Sequence, residues 1–313
     1  MLKNIYIFHK DINFTNELIL YLKKKTSYNL IDIKIKLNLF ERILCYIFKF
    51  INLDFSMIWT YSFLKKIFLE EENSIVIIFD SGKGKEIALL LRKIYKRIPM
   101  IFWYWNKIDD EKLLNKIKKS FKKDIYTFDK KDAKKYKINY LSQFYWYYEE
   151  EEVKSSITYE VMFVGYDKGR EKILLDLKEK LKKNNLKTFF HIVSDKHIYD
   201  RFKKKNKLLS YFEIKEIIKK SKCILEIVKP GQEGLTLRAF EAMFFKKKLI
   251  TNNLEIKNYE FYNKNNVFIL QEDKDLLKFL ELELDNSYEK KLEKYLAENW
   301  LKKIIKEYTY DNN

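Results

Sequence analysis

The few glycines of this chain mark strand-to-helix junctions, and they constrain its fold more than any other feature. Only six glycines occur in 313 residues, and they form three pairs, Gly82/Gly84, Gly165/Gly169 and Gly231/Gly234. Each pair precedes a helical pattern and closely follows a short apolar run typical of a buried strand. The three runs span residues 74–79, 159–164 and 223–228. Such junctions form the carboxyl edge of a parallel α/β sheet, where these sheets bind ligands.

Strand and helix patterns alternate along the whole sequence. Strands are predicted at 4–8, 29–35, 74–79, 99–105, 124–128, 159–164, 187–193, 223–228, 247–251 and 266–270. Helices are predicted at 14–25, 38–52, 83–97, 110–121, 169–183, 211–220, 234–245, 273–281 and 287–308. Several strands are apolar throughout, as expected when helices cover both faces of a sheet. The alternation therefore predicts an α/β fold built from parallel βαβ units.

The length of the chain suits two domains, each with its own core. The acidic run Glu149–Glu152 is typical of a solvated linker. We therefore predict Rossmann-like domains at residues 1–152 and 153–285. A C-terminal helical segment, 286–313, packs on the second domain or crosses back to the first.

Charge and cysteine content restrict the class of protein. The net charge is +18, carried mostly by lysine, and it favours an anionic partner such as nucleic acid, acidic lipid or nucleotide phosphate. Cys45 and Cys223 lack metal-like spacing and are expected to be buried residues of a reduced protein. We find no signal-peptide pattern and no uncharged run of the roughly 18 residues that a membrane span needs. A cytoplasmic protein is expected, at most peripheral on the inner face of the cell membrane.

The segment Lys229–Met243 is the most informative for chemistry. It leaves a buried strand, turns through Pro230 and Gly231, and is predicted to enter a helix near Gly234. The free amides and positive end of such a helix favour phosphate. Glu233 and Glu241 are separated by seven residues, and a carboxylate can accept two hydrogen bonds from the vicinal hydroxyls of a ribose.

This segment resembles the donor-binding motif of glycosyltransferases with the GT-B fold, in which Glu-x7-Glu spans the same strand–loop–helix junction. Residues 163–170 together with 230–252 are similar to bacterial glycosyltransferases of lipopolysaccharide and capsule assembly. In the first half, similar stretches are Trp105–Asn106, Phe128–Asp129 and Asp132–Tyr136. The resemblance implies two Rossmann-like domains that face each other across a cleft, with the acceptor on the first and the nucleotide-sugar donor on the second.

The resemblance also implies roles for individual residues of the second domain. Glu241 would bind the ribose and Glu233 the donor sugar. The diphosphate would lie on the backbone of Gly231, Gln232, Glu233, Gly234, Leu235 and Thr236. The loop from Gly165 would face the diphosphate, with Lys168 and Arg170 neutralising it. Other interpretations stay open: Glu233 as a helix cap, Glu241 in a surface ion pair with Arg238, and Lys168 and Arg170 as solvated charges.

Two residues of the first domain are candidates for catalysis beside Glu233. His9 follows the first strand, and Asp80 follows the strand at 74–79. His9 could equally be a loop residue without a role, and Asp80 could cap the helix that begins near Lys83. No Asp-x-Asp motif occurs in a plausible loop, so we expect no metal and no cofactor, the nucleotide-sugar being a substrate. Full correspondence with the Glu-x7-Glu pattern would imply retention of anomeric configuration.

Three functions agree with these observations to different degrees. The first is a glycosyltransferase acting on a glycan or glycolipid acceptor, and the second is a GT-B-type nucleotide-sugar epimerase or a polyol-phosphate transferase. The third is a basic nucleic-acid-binding protein, but no known nucleic-acid motif is present and the aromatics lie in apolar runs, so we expect no nucleic acid. Residues 38–69 mix aromatic and basic side chains, which suits either a membrane surface or a core helix with snorkelling lysines.

Overall fold

The structure is a computed structural model that describes residues 4–38, 40–41, 43–44, 55–148, 156–194, 208–272 and 274–310. It divides into two compact units, Met1–Ser142 and Gln143–Asn313. Each unit contains one parallel sheet with intervening helices, so the predicted α/β fold with two Rossmann-like units is confirmed. That the two units face each other across a cleft stays a prediction. The run Glu149–Glu152, Cys45 and most of the predicted helix 38–52 lie outside the described residues.

The N-terminal unit has six parallel strands. They are β1 (Asn4–Lys10), β2 (Asn29–Ile35), β3 (Ser74–Phe79), β4 (Met100–Tyr104), β5 (Ile125–Thr127) and β6 (Asn139–Tyr140). The helices described in this unit are α1 (Asn13–Lys25), α2 (Phe55–Leu64), α3 (Gly84–Ile94), α4 (Glu111–Phe121) and α5 (Lys130–Tyr136). The strand order is β2-β1-β3-β4-β5-β6. The chain moves outward in one direction from β1 and in the other from β3, so a topological switch point lies between these two strands.

The central strands of this sheet form because their sequences are apolar throughout. Every residue of β3 and β4 is buried, and amphipathic helices such as α3 cover them. Gly84 allows α3 to begin directly against β3, because a Cβ atom there would collide with the carbonyl oxygen of Phe79. Asp110 starts α4 by accepting a hydrogen bond from the Leu113 amide at 2.9 Å.

The C-terminal unit has five parallel strands in the order β11-β10-β9-β7-β8. They are β7 (Tyr159–Tyr166), β8 (Thr188–Val193), β9 (Ser221–Glu226), β10 (Lys248–Thr251) and β11 (Val267–Ile269). Its helices are α6 (Glu171–Lys183), α7 (Tyr211–Lys219), α8 (Leu237–Phe244), α9 (Leu276–Glu281), α10 (Glu289–Leu292) and α11 (Ala297–Tyr310), with 3₁₀ turns at Leu254–Asn258 and Glu293–Tyr295. The switch point of this sheet lies between β7 and β9.

All ten predicted strands are present, whereas some helices differ from the prediction. The helix predicted at 287–308 is broken, because the chain is extended at Leu296 and pairs there with Tyr145. The Tyr145 amide donates to the Tyr295 carbonyl and its carbonyl accepts from the Ala297 amide, both at 2.8 Å. The helices α2 and α5 and the two-residue strand β6 have no counterpart in the prediction. No helix in the described parts of the chain is long and apolar enough to cross a bilayer.

Candidate functional site

The connection from β9 to α8 lies at the switch point of the C-terminal sheet and is held by a buried carboxylate. Glu226 is the last residue of β9, and its Oε1 accepts hydrogen bonds from the Thr236 amide at 3.0 Å and the Thr236 hydroxyl at 2.5 Å. Its Oε2 accepts from the Thr251 hydroxyl at the end of β10, at 2.7 Å. Burial raises the pKa of Glu226, and the threonine hydrogen bonds and the charge of Arg170 oppose that rise.

These hydrogen bonds explain why α8 begins later than the sequence predicts. The helix starts at Leu237, three residues beyond the predicted start at Gly234. Thr236 is the N-cap, and its side chain accepts from the Arg238 amide at 3.2 Å. Because Glu226 fixes Thr236 at the sheet edge, the residues from Gly231 to Leu235 remain in a loop instead of joining the helix.

The predicted diphosphate loop is a tight turn with its own internal bonds. Gly231 has a φ of +74°, in the left-handed region that favours glycine. The Gln232 side-chain amide donates to the Gly234 carbonyl at 2.9 Å, and the Asn253 side-chain amide donates to the Glu233 carbonyl at 3.0 Å. The Glu233 side chain is half-buried and does not cap α8, since Thr236 does so. The Leu235 side chain is in the core, which leaves its backbone for any ligand contact.

Glu241 lies inside the unit and not on its surface. Its side chain is 1% exposed, and Oε1 accepts a hydrogen bond from the Tyr211 hydroxyl at 3.0 Å. Oε2 is paired with the Arg238 guanidinium, and the Tyr211 hydroxyl lies 2.5 Å from that of Tyr145. Burial raises the pKa of Glu241, and the Arg238 charge opposes the rise. The ion pair with Arg238 is therefore present, but as part of a buried tyrosine–carboxylate–guanidinium network.

The loop after β7 lies on the other side of the switch point, and Arg238 connects it to α8. The Arg238 Nε donates to the Val164 carbonyl of β7 at 3.2 Å. Arg170 folds back on its own loop, with Nε donating to the Asp167 carbonyl at 2.9 Å and Nη2 donating to the Tyr166 carbonyl at 2.7 Å. Lys168 is exposed and has a φ of +46°. The predicted residues of the two loops thus share one sheet edge.

His9 and Asp80 flank the switch point of the N-terminal sheet. Asp80 directly follows β3, whereas β1 extends to Lys10, so His9 lies within that strand and not after it as predicted. His9 is buried, with Nε2 at 2.6 Å from Asp32 Oδ1 and Nδ1 at 2.9 Å from the Lys10 carbonyl oxygen. The amide of Lys10 donates to the Ser81 hydroxyl at 3.3 Å, which joins the ends of β1 and β3. The carboxylate of Asp32 therefore orients the histidine ring.

Asp80 is a buried acid whose proton affinity is raised. Its side chain accepts hydrogen bonds from the Trp105 amide at 2.9 Å and from the Asn106 side-chain amide at 3.3 and 3.4 Å. These bonds lead away from α3, whose N-cap is Lys83, so Asp80 does not cap that helix. Burial raises the pKa of Asp80 to about 6, against the opposing effects of the Trp105 hydrogen bond and the Lys85 charge. Carboxyl groups perturbed in this way are common in ligand-binding and catalytic sites.

No family model matches the chain, and no curated protein matches it. Among solved structures, the chain is similar to TarM, with a TM-score of 0.53 and 15% identity over 80% of this chain. The match covers 57% of the TarM chain. The fold is shared.

A second solved structure, of accessory secretory protein 1, 2 and 3 in Streptococcus pneumoniae, matches with a TM-score of 0.45 and 12% identity. That match covers 81% of this chain and 57% of the other. The chain thus spans little more than half the length of either structure.

Several residues that shape these sites were not predicted from the sequence. Glu226 lies within an apolar strand pattern. A charged residue in such a run is the one sequence feature that could have indicated its structural role. Asp32, Tyr145 and Tyr211 have no local signal, because their partners are distant in sequence. Within the described residues, no group of three or more histidine, cysteine or acidic side chains is arranged to hold a metal ion.

Proposed function

We propose that this chain is a glycosyltransferase that moves a sugar from a nucleotide-diphosphate donor to a glycan or glycolipid acceptor. The observation that carries the proposal is the placement of the β9–α8 loop and the β7–α6 loop on the two sides of one switch point. Open α/β sheets bind nucleotides at such points, with phosphates near helix N-termini. The fold shared with the glycosyltransferase TarM supports the same assignment.

In the proposed donor complex, the diphosphate contacts the amides of the loop from Gly231 to Thr236. Lys168, which is exposed on the facing loop, neutralises the phosphate charge. Arg170 holds that loop in shape through its bonds to the Tyr166 and Asp167 carbonyls. These groups stabilise the departing nucleoside diphosphate, so that the reaction needs no metal ion.

Glu241 and Glu233 are the proposed contacts of the nucleoside and the sugar. Arg238 and Tyr211 orient the Glu241 carboxylate, and each carboxylate oxygen retains a second acceptor direction for a ribose hydroxyl. Because Glu241 is 1% exposed, the ribose reaches it only when a neighbouring side chain moves aside. Glu233 precedes the cap of α8 and is proposed to contact the donor sugar.

The acceptor is proposed to bind at the N-terminal switch point. Asp80 directly follows β3, and His9, next to last in β1, is held by Asp32 of the neighbouring strand β2. In a retaining reaction, which the Glu-x7-Glu pattern favours, Asp80 binds the acceptor hydroxyl and does not remove its proton. We assign the reaction to bacterial envelope glycans such as lipopolysaccharide or capsule, on the strength of the motif resemblance.

Binding of nucleoside diphosphates tests the donor site. Titration calorimetry with the uridine, guanosine, cytidine and adenosine diphosphates should identify one nucleotide that binds. Glu241→Gln should weaken that nucleotide by about 10-fold to 100-fold, since hydrogen bonds to a charged acceptor contribute about 1.5–3 kcal/mol. Glu216→Gln is the matched control, because Glu216 forms an i,i+3 ion pair with Lys219 on α7 and should leave binding unchanged. Equal affinity of wild type and Glu241→Gln would show that Glu241 does not contact the ribose.

Product analysis separates the transferase from the alternatives. The corresponding nucleotide-sugar should be consumed together with an acceptor glycan, and the anomeric configuration of the product decides between retention and inversion. Conversion of the sugar without an acceptor would indicate an epimerase. Absence of nucleotide binding, together with salt-sensitive binding of DNA or RNA, would favour a nucleic-acid-binding protein.

A further inference from the structure

Two consecutive asparagines at the end of β10 bond to the backbone of the β9–α8 loop. Asn252 and Asn253 directly follow Thr251, the last residue of β10. Thr251 is paired with Glu226 of β9, so the asparagines lie beside the point where the loop leaves the sheet. We call Asn252 and Asn253 the asparagine clamp.

Asn252 fixes the beginning of the loop. Its Oδ1 accepts a hydrogen bond from the Val228 amide at 2.7 Å, and its Nδ2 donates to the Val228 carbonyl at 3.4 Å. The side chain therefore pairs with both backbone polar groups of Val228, which a neighbouring strand would otherwise have to do. Asn252 is itself held, because the Gln271 side-chain amide donates to its carbonyl at 3.0 Å.

Asn253 fixes the middle of the loop. Its Nδ2 donates to the Glu233 carbonyl at 3.0 Å, and its Oδ1 accepts from the Glu255 amide at 3.1 Å. The residue is 3% exposed, and its backbone amide donates to the Thr251 hydroxyl at 3.0 Å. Because both polar atoms of this buried side chain are bonded, it is a rigid support for the Glu233 carbonyl.

The asparagine clamp and Glu226 together hold the loop at three residues. The clamp holds Val228 and Glu233, and Glu226 holds Thr236 at the start of α8. Only short stretches lie between these residues, and one of them contains the turn at Gly231. A loop held in this way keeps its shape before a ligand arrives, so that binding carries little of the cost of ordering it.

We propose that Asn252 and Asn253 are positioning residues that keep the β9–α8 loop in the shape that receives the donor diphosphate. This role rests on the proposed function of the loop as the contact of the diphosphate. The asparagines act through the loop backbone and do not contact the nucleotide themselves. Without them the loop samples other shapes, and the apparent affinity falls with the fraction of molecules whose loop is competent to bind.

Hydrogen–deuterium exchange of the free protein tests the clamp without any ligand. In Asn253→Ala, amides of residues 231–235 should exchange about threefold to tenfold faster than in wild type, as expected for the loss of one neutral hydrogen bond. Asn252→Leu should have a similar effect at the beginning of the loop. Asn252→Asp keeps the acceptor for the Val228 amide, so it should restore most of the protection.

Asn266 provides a matched control in the same unit. It is buried, its Nδ2 donates to the Asp285 carbonyl at 2.7 Å, and its Oδ1 accepts from the Asp285 amide at 2.8 Å. Asn266→Ala therefore removes the same kind of bonds from a backbone segment outside the loop. It should leave exchange at residues 231–235 as in wild type.

Nucleotide titration relates the clamp to the donor. Asn253→Ala should weaken the nucleoside diphosphate that binds wild type by about threefold to tenfold. The corresponding monophosphate, which lacks the terminal phosphate, should lose less, so the ratio of the two affinities should fall. Asn266→Ala should leave this ratio unchanged, since lower stability alone affects both nucleotides alike.

Two exchange results would overturn the proposal: loop exchange in Asn253→Ala equal to that in wild type, and an equal increase in Asn266→Ala. Faster loop exchange with an unchanged affinity ratio would overturn it as well, because the asparagines would then hold the loop without serving the donor. If wild type binds no nucleotide, the proposed function fails. Faster loop exchange in the clamp variants alone would still establish that the asparagines hold the loop.

Discussion

Replacing Asp80 by asparagine should stabilise the N-terminal unit near neutral pH and not at low pH. Burial raises the pKa of Asp80 to about 6 from its ordinary value of 3.8. A carboxyl group whose pKa is raised on folding stabilises the folded state fully at pH values below its pKa in the unfolded chain. This stabilisation is lost as the pH rises through its pKa in the folded protein. Each pKa unit corresponds to about 1.4 kcal/mol. Above pH 6 the ionised carboxylate therefore lowers the free energy of unfolding by about 3 kcal/mol.

Asparagine preserves the local hydrogen bonds while removing this cost. Its side-chain oxygen can accept from the Trp105 amide as Asp80 does, and the Asn106 amide can rotate to accept from the new NH₂ group. The advantage of Asp80→Asn over wild type should therefore grow by about 3 kcal/mol between pH 4 and pH 7.5. If Asp80 also contacts the acceptor, the same variant should lose sugar transfer while it gains stability.

Urea denaturation at a series of pH values measures this difference. Asp109→Asn is the control, because Asp109 is exposed on the same unit and the substitution should leave the pH dependence of wild type intact. A difference in the free energy of unfolding between wild type and Asp80→Asn that stays constant from pH 4 to 7.5 would show that ionised Asp80 does not destabilise the fold. A variant advantage that increases toward low pH would show this as well.

Three further predictions concern the C-terminal unit. Burial lowers the pKa of Lys247 to about 8. The free energy of unfolding of wild type, measured by urea denaturation, should therefore rise as the pH increases from 8 toward 10.5, and Lys247→Met should make that rise smaller. Tyr211→Phe removes the hydrogen bond to the buried Glu241 carboxylate and should lower the free energy of unfolding by about 1–3 kcal/mol, whereas an unchanged value would mean that the network contributes nothing. Thr236→Ala removes the cap of α8 and a hydrogen bond to Glu226, so it should lower the free energy of unfolding by about 1–2 kcal/mol and weaken nucleotide binding. Lower stability with unchanged nucleotide affinity would show that the cap is not part of the donor site.

Local sequence patterns were sufficient to predict the strands. Strand β3 is apolar after Ser74, and β9 contains the apolar stretch 223–225; burial on both faces of a sheet favours such stretches. The glycines that follow them mark the carboxyl edge of each sheet for the same reason. The location of Asp80 directly after β3 follows from this pattern, whereas β1 extends past His9 to Lys10.

Features that depend on distant partners were not predictable. The start of α8 is delayed because Glu226 holds Thr236, and the C-terminal helix is interrupted because Leu296 pairs with Tyr145. Propensity and periodicity describe only neighbouring residues, so neither contact leaves a local signal. The burial of Glu241 has the same origin, since its phenolic partner Tyr211 lies on another helix.

Hydrogen–deuterium exchange with the bound nucleoside diphosphate tests whether the diphosphate lies at the switch point of the C-terminal sheet. A saturating nucleotide should slow amide exchange in two segments, the β9–α8 connection from Lys229 to Leu237 and the β7–α6 loop from Gly165 to Arg170. Protection of these two segments together would locate the diphosphate at the switch point of the C-terminal sheet. Bound nucleotide that leaves both segments unprotected while slowing exchange elsewhere would show that the donor site lies in another part of the chain.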